Sequence, residues 1–104
     1  MRTTIKIIDE IKDNIFITEK DGETIYNLIK SKLDNDENII LDCTGIETSI
    51  VKPFHICVGR FFDTTENARK FLTHVQIKGN DYIKEKINRV IDNAQKFYNS
   101  LEEE

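Results

Sequence analysis

The chain has 104 residues, 38% apolar and 33% charged, with fifteen Lys and Arg against nineteen Asp and Glu for a net charge of −4. That suits one domain (1–104, core about 3–100) that needs neither metal nor disulfide to hold it, and it excludes a disordered chain. The longest uncharged runs, Pro53–Gly59 and Phe71–Ile77, are seven residues each, far short of the ~20 that cross a bilayer, and a pI near 5.2 gives no general attraction for nucleic acid.

The first segment, Met1–Lys6, contains no apolar stretch of the signal-peptide kind, so a cytoplasmic protein is expected. Ile5, Ile7, Ile15 and Ile17 fall in two short β-rich runs separated by Asp9–Asn14, which predicts a strand, a turn and an antiparallel partner. The period then changes. Ile25, Leu28, Ile29 and Leu33 occupy one helical face, with Thr18 or Asp21 as the cap and Asp34-Asn35-Asp36 as the stop. Asn38–Asp42 is a short apolar run bounded by polar residues, as expected of a central parallel strand buried on both faces.

Cys43–Ile50 reads as a loop containing Gly45. A helix is expected to begin near Ser49–Lys52, with Pro53 in its first turn, and to reach Phe61 or Phe62. Asp63–Glu66 predicts a break and a short capped turn, and the alternation over Leu72–Ile77 a further strand. Ile83, Ile87, Val90, Ile91, Ala94, Tyr98 and Leu101 keep helical spacing to the end, where Glu102-Glu103-Glu104 oppose the helix dipole and predict fraying. The resulting α/β fold is a mixed four-stranded sheet: an N-terminal antiparallel pair, later strands parallel, three main helices with a long one last, and a short turn helix. Function in such sheets gathers at the carboxyl ends of the strands, here Asp42–Lys52.

Candidate chemistry is sparse. Cys43 and Cys57, with thirteen residues between them, are expected as reduced, buried thiols. His55 and His74 complete no zinc spacing with them. Neither histidine is placed by sequence as a base for a cysteine nucleophile, since His55 and Cys57 point apart on one helix and nothing joins Cys43 to His74. Four glycines leave no phosphate-cradling loop. No cofactor, metal site or catalytic set is therefore expected. Thr44, Thr48 and Ser49 cluster at a helix start, where hydroxyls serve as caps, or as phosphoacceptors whose phosphate would meet Lys52.

The segment Ile39-Ile40-Leu41-Asp42-Cys43-Thr44-Gly45-Ile46-Glu47 resembles the ILDFxGV stretch of STAS domains, the anti-sigma-factor-antagonist fold, and especially the bacterial STAS-like domains of unknown function. Val58-Gly59-Arg60-Phe61-Phe62 and Arg89–Tyr98 resemble the later helices of that family, and the similarity spans roughly residues 14–100. Heavy use of Ile, Lys and Asn with only two alanines agrees with an AT-rich bacterial genome. The resemblance implies a non-catalytic partner switch. In the family, an unmodified serine in this loop permits binding to a histidine-kinase-like ATPase, and phosphorylation releases it. The family's serine pair would fall near Val51-Lys52, where this chain has no hydroxyl, so the phosphoacceptor candidates become Ser49 and Thr48. The implied partner surface is Gly45, Lys52, Pro53, Phe54 and His55, with Pro53 and Phe54 exposed at the helix mouth. A small-molecule or nucleotide sensor using the same strand-end crevice is the alternative; neither nucleic acid nor membrane is an expected partner.

Overall fold

Among the described residues every strand pairing is parallel, and no two strands adjacent in the chain are paired. A computed structural model describes the backbone of residues 2–102 and the side chains of residues 2–96. The elements are β1 (Arg2–Lys6), α1 (Ile7–Ile11), β2 (Ile15–Phe16), α2 (Glu19–Asp34), β3 (Asn38–Asp42), β4 (Thr48–Ser49), α3 (Val51–Cys57), a 3₁₀ segment (Gly59–Asp63), α4 (Thr65–His74), β5 (Val75–Lys78) and α5 (Asp81–Glu102). One sheet has the order β1-β3-β5; β2 and β4 form a separate pair.

The expected four-stranded mixed sheet with an antiparallel N-terminal pair is therefore not formed. The isoleucines stop alternating after Ile5: Ile7, Ile8 and Ile11 stand at helical spacing and fold into α1, with Ile7 fully buried. Lys12, left-handed at φ 58°, ends that helix. The two β-rich runs thus join different sheets.

Three further expectations are corrected. The helix expected over Val51–Phe62 breaks at Val58 and continues as the 3₁₀ segment, which tucks Phe61 and Phe62 against Phe71 with ring centroids 5.4 and 5.7 Å away. The strand expected over Leu72–Ile77 begins only at Val75. Ala68 and Phe71 are helix-spaced core positions, and Thr64 caps α4 by accepting from the Asn67 N–H at 3.1 Å. Finally, β3 is not buried on both faces: Ile39 and Leu41 face the core, whereas Asn38 is exposed and Ile40 half-buried.

That last difference follows from the strand order. β1, β3 and β5 advance across the sheet in one direction, and crossovers between parallel strands are right-handed in nearly all proteins. Successive right-handed crossovers in one direction put their helices on the same side. The apolar positions agree: Ile5, Ile39, Leu41, Val75 and Ile77 join one cluster with Ile25, Ile29, Phe71, Ile83, Ile87 and Val90 from the helices.

Other expectations hold. Thr18 caps α2, accepting from the Asp21 N–H at 3.1 Å, and Ile25, Ile29 and Leu33 are buried. The helix ends in a Schellman turn with Asp36 left-handed (φ 56°), Asp36 N–H donating to Leu33 O and Glu37 N–H to Lys32 O. Asn80 caps α5 by accepting from the Ile83 N–H at 2.8 Å. The packing expected of Tyr98 and Leu101 and the fraying expected at the acidic end lie outside the described residues. Among the described residues no helix is long and apolar enough to cross a membrane.

Candidate interaction site

The carboxyl end of β3 leads into a tightly specified turn. Asp42 Oδ1 accepts the Thr44 N–H at 2.9 Å. Gly45 follows at φ +89°, a backbone conformation that favours glycine; the tip of the Ile8 side chain lies beside it. The chain is then held to the segment before β2: the Glu47 N–H donates to Asn14 O at 2.9 Å, and β4 pairs in register, Ile15 with Thr48 and Phe16 with Ser49.

This register sorts the ribbon into two faces, because parallel partners point the same way. Inward are Phe16, fully buried, and Ser49, 6% exposed. Outward are Ile15, 40% exposed, and Thr48, also exposed; Ile17 (40%) and Ile50 (47%), the residues directly after each strand, continue that face. Three large exposed apolar side chains thus stand on or beside the ribbon near one exposed hydroxyl.

The sequence-derived site residues divide along this line. Thr48, Gly45, Lys52 and His55 are exposed. Pro53 and Phe54, expected at the surface, are buried. Phe54 packs edge-on against Phe16, ring centroids 5.0 Å apart, and Pro53 lies where α2 and α3 touch. Gly22 makes that approach possible, since a Cβ on it would come within 3.0 Å of Pro53 O. Lys52 pairs with Glu19 at 2.8 Å, a mostly exposed bridge contributing roughly 0–1 kcal/mol.

Ser49 is covered from α5. Lys86 Nζ donates to Ser49 O at 2.6 Å, lies 3.4 Å from Ser49 Oγ, and stands over the Tyr82 ring at 4.3 Å. Nothing in the local pattern announces Lys86, which is 37 residues from Ser49. Ile15 and Ile17 carry a signal in retrospect: three consecutive apolar residues, Ile15-Phe16-Ile17, cannot all face inward on a strand.

The electrostatics of the loop are those of a structural anchor. Burial pulls the Asp42 carboxyl up, but hydrogen bonds from Thr44 and the charges of Lys78 and Lys6 outweigh it and leave the group below its ordinary value. Burial, reinforced by Asp42, pushes the Cys43 thiol up to about 12; burial and the neighbouring Cys43 push Cys57 higher still. Both cysteines are free and buried, and thiols in that condition are poor nucleophiles. His74 Nδ1 lies 2.9 Å from Asn38 Oδ1, at the opposite end of β3 from the loop. Among the described residues no group of three or more His, Cys, Asp or Glu could hold a metal ion.

A cleft of about 250 Å³ opens elsewhere, between α2, the 3₁₀ segment and α4, over Tyr26 and Phe61. Its cations are already paired: Lys30 with Asp34 at 3.0 Å, Arg60 with Glu23, and Lys70 with Asp36 at 3.3 Å. No family model matches this chain, and neither a curated protein nor a solved structure is significantly similar to it.

Proposed function

We propose that the chain is a non-catalytic cytoplasmic interaction domain that docks a regulatory protein through the outward face of the β2–β4 ribbon. The observation that carries this reading is the grouping of Ile15, Ile17 and Ile50 around Thr48. Single exposed apolar residues are ordinary on protein surfaces, but contiguous ones mark contact sites. Gly45, Lys52 and His55 supply the polar rim that such a patch needs. The resemblance to STAS domains favours a histidine-kinase-like ATPase as the partner. The two buried free thiols agree with a reducing compartment.

Thr48 is the better placed of the two phosphoacceptor candidates, because it is exposed while Ser49 is buried under Lys86. A phosphate on Thr48 would add nearly two negative charges amid three isoleucines, opposing an apolar partner by desolvation.

The test is affinity capture from source-cell lysate with wild type, with Ile17→Ser/Ile50→Ser and with Thr48→Glu, each with and without ATP. The expected result is an ATPase retained by wild type and lost from both variants, while their melting temperatures stay within about 2 °C of wild type, as surface substitutions allow. An identical set of retained proteins on all three baits would refute this surface.

A further inference from the structure

Among the described residues, the three-stranded sheet has a second face that no helix covers. Its outward positions are Arg2, Thr4 and Lys6 on β1, Asn38, Ile40 and Asp42 on β3, and Gln76 and Lys78 on β5, grouped by register into the rows Arg2–Asn38, Thr4–Ile40–Gln76 and Lys6–Asp42–Lys78. Arg2, Thr4, Asn38, Gln76 and Lys78 are exposed, Lys6 and Ile40 half-buried, and only Asp42 is buried. All-parallel sheets are found almost only with helices on both faces. The strand order explains how this face comes to be open, and it leaves the sheet one layer short.

The charge on this face says what would complete it. Arg2, Lys6 and Lys78 stand against Asp42, so three minus one gives +2 on a chain whose total is −4. Two copies pressed together through this face would repel, which disfavours self-association here. No aromatic side chain occupies any outward position, so the stacking platform that holds single-stranded nucleic acid is missing. The five-residue strands extend about 16 Å, the length of roughly eleven helical residues. We propose that this face docks an acidic amphipathic helix of a partner protein, its carboxylates meeting Lys6, Lys78 and Arg2 and an apolar residue covering Ile40. That helix supplies the second layer. This contact is separate from the β2–β4 ribbon, and either surface stands if the other fails.

The test uses a blocked fourteen-residue helical peptide with Glu at i, i+4, i+7 and i+11 and Leu between them on the same face, titrated into ¹⁵N-labelled protein at 20 mM and 300 mM salt. The expected result is saturable shifts confined to the amides of residues 2–6, 38–42 and 76–78, weakened by salt. Thr4→Glu, which places a carboxylate in the middle row away from Asp42, should weaken the peptide about five- to tenfold, and Lys6→Gln/Lys78→Gln similarly. Ile17→Ser/Ile50→Ser should leave its affinity unchanged. No saturable shifts at millimolar peptide, or shifts centred on residues 15–17 and 48–50, would overturn the proposal. So would stronger binding to the same amides by a twenty-nucleotide oligothymidylate, which would make the face a nucleic-acid surface instead.

Discussion

Phe54 separates two physical roles for the same residue. As part of a docking patch it would be exposed, and its removal would weaken a partner without touching stability. The structure buries it completely, with its ring edge-on to Phe16 at 5.0 Å and 66°. Phe54→Ala should then cost about 3–5 kcal/mol, the transfer of the ring plus the cavity it leaves. At ~2.1 cal/mol/K per residue, unfolding 104 residues carries an entropy of about 0.22 kcal/mol/K. The expected fall in melting temperature is therefore about 14–23 °C. A gentler Phe54→Leu, at about 1 kcal/mol, should lower it by about 5 °C. Ile50→Ser, four residues away and 47% exposed, should move it by less than about 2 °C. Thermal unfolding followed by circular dichroism reads all three. A Phe54→Ala protein melting within about 5 °C of wild type would show that the ring is not in the core, and the inward face of the β2–β4 ribbon would have to be redrawn. The size of the expected loss also means that failure of Phe54→Ala to bind a partner says nothing about contact.

Two other outcomes follow from the same packing. Cys43 and Cys57 should give no reaction with a disulfide reagent at pH 8 over an hour in native protein and two equivalents in guanidinium; rapid native labelling would contradict their burial. Asp42 has a folded pKa below its ordinary 3.8, so the stability it contributes is complete above that value and lost as pH falls through the folded one. The stability difference between wild type and Asp42→Asn should therefore stay flat from about pH 7 to 5 and move against wild type below about pH 4; a difference constant to about pH 2 would remove Asp42 from its place between Lys6 and Lys78.

Individual elements are legible where a single segment carries its own reason, although the sheet they assemble into is not. The α2 face at Ile25, Ile29 and Leu33 and the central position of β3 are expected and present, and of the two expected caps, Thr18 and Asp21, the structure uses Thr18. Local pattern misleads where sequence neighbours are not spatial neighbours. Ile5 and Ile15 belong to strands nine residues apart, but the helical spacing of Ile7, Ile8 and Ile11 between them sends each to a different sheet. Leu72–Ile77 alternates, yet the burial of Phe71 extends α4 to His74. The candidate site was legible as a position and only partly as a surface. Gly45, Thr48 and Lys52 are exposed beyond the carboxyl end of β3, but the inwardness of Phe54 depends on Phe16, and the covering of Ser49 on Lys86. Those partners lie 38 and 37 residues away respectively, beyond any local period.

The replacement of an early hairpin by parallel pairing changes the order in which this chain can fold. Arg2 waits for Asn38 and Ile39 for Val75, both 36 residues on, and Ile15 waits for Thr48, 33 residues on. Closing a loop of that length costs about 3 kcal/mol in chain entropy before any strand contact forms. Helices such as α2, with their own caps, need no such closure and organise in microseconds or less. Emerging from a ribosome, β1 would have no partner until residue 42 was free, and β3 would keep an open edge until residue 78 followed. This topology predicts that the sheet forms late in folding and that its assembly, rather than helix formation, sets the pace.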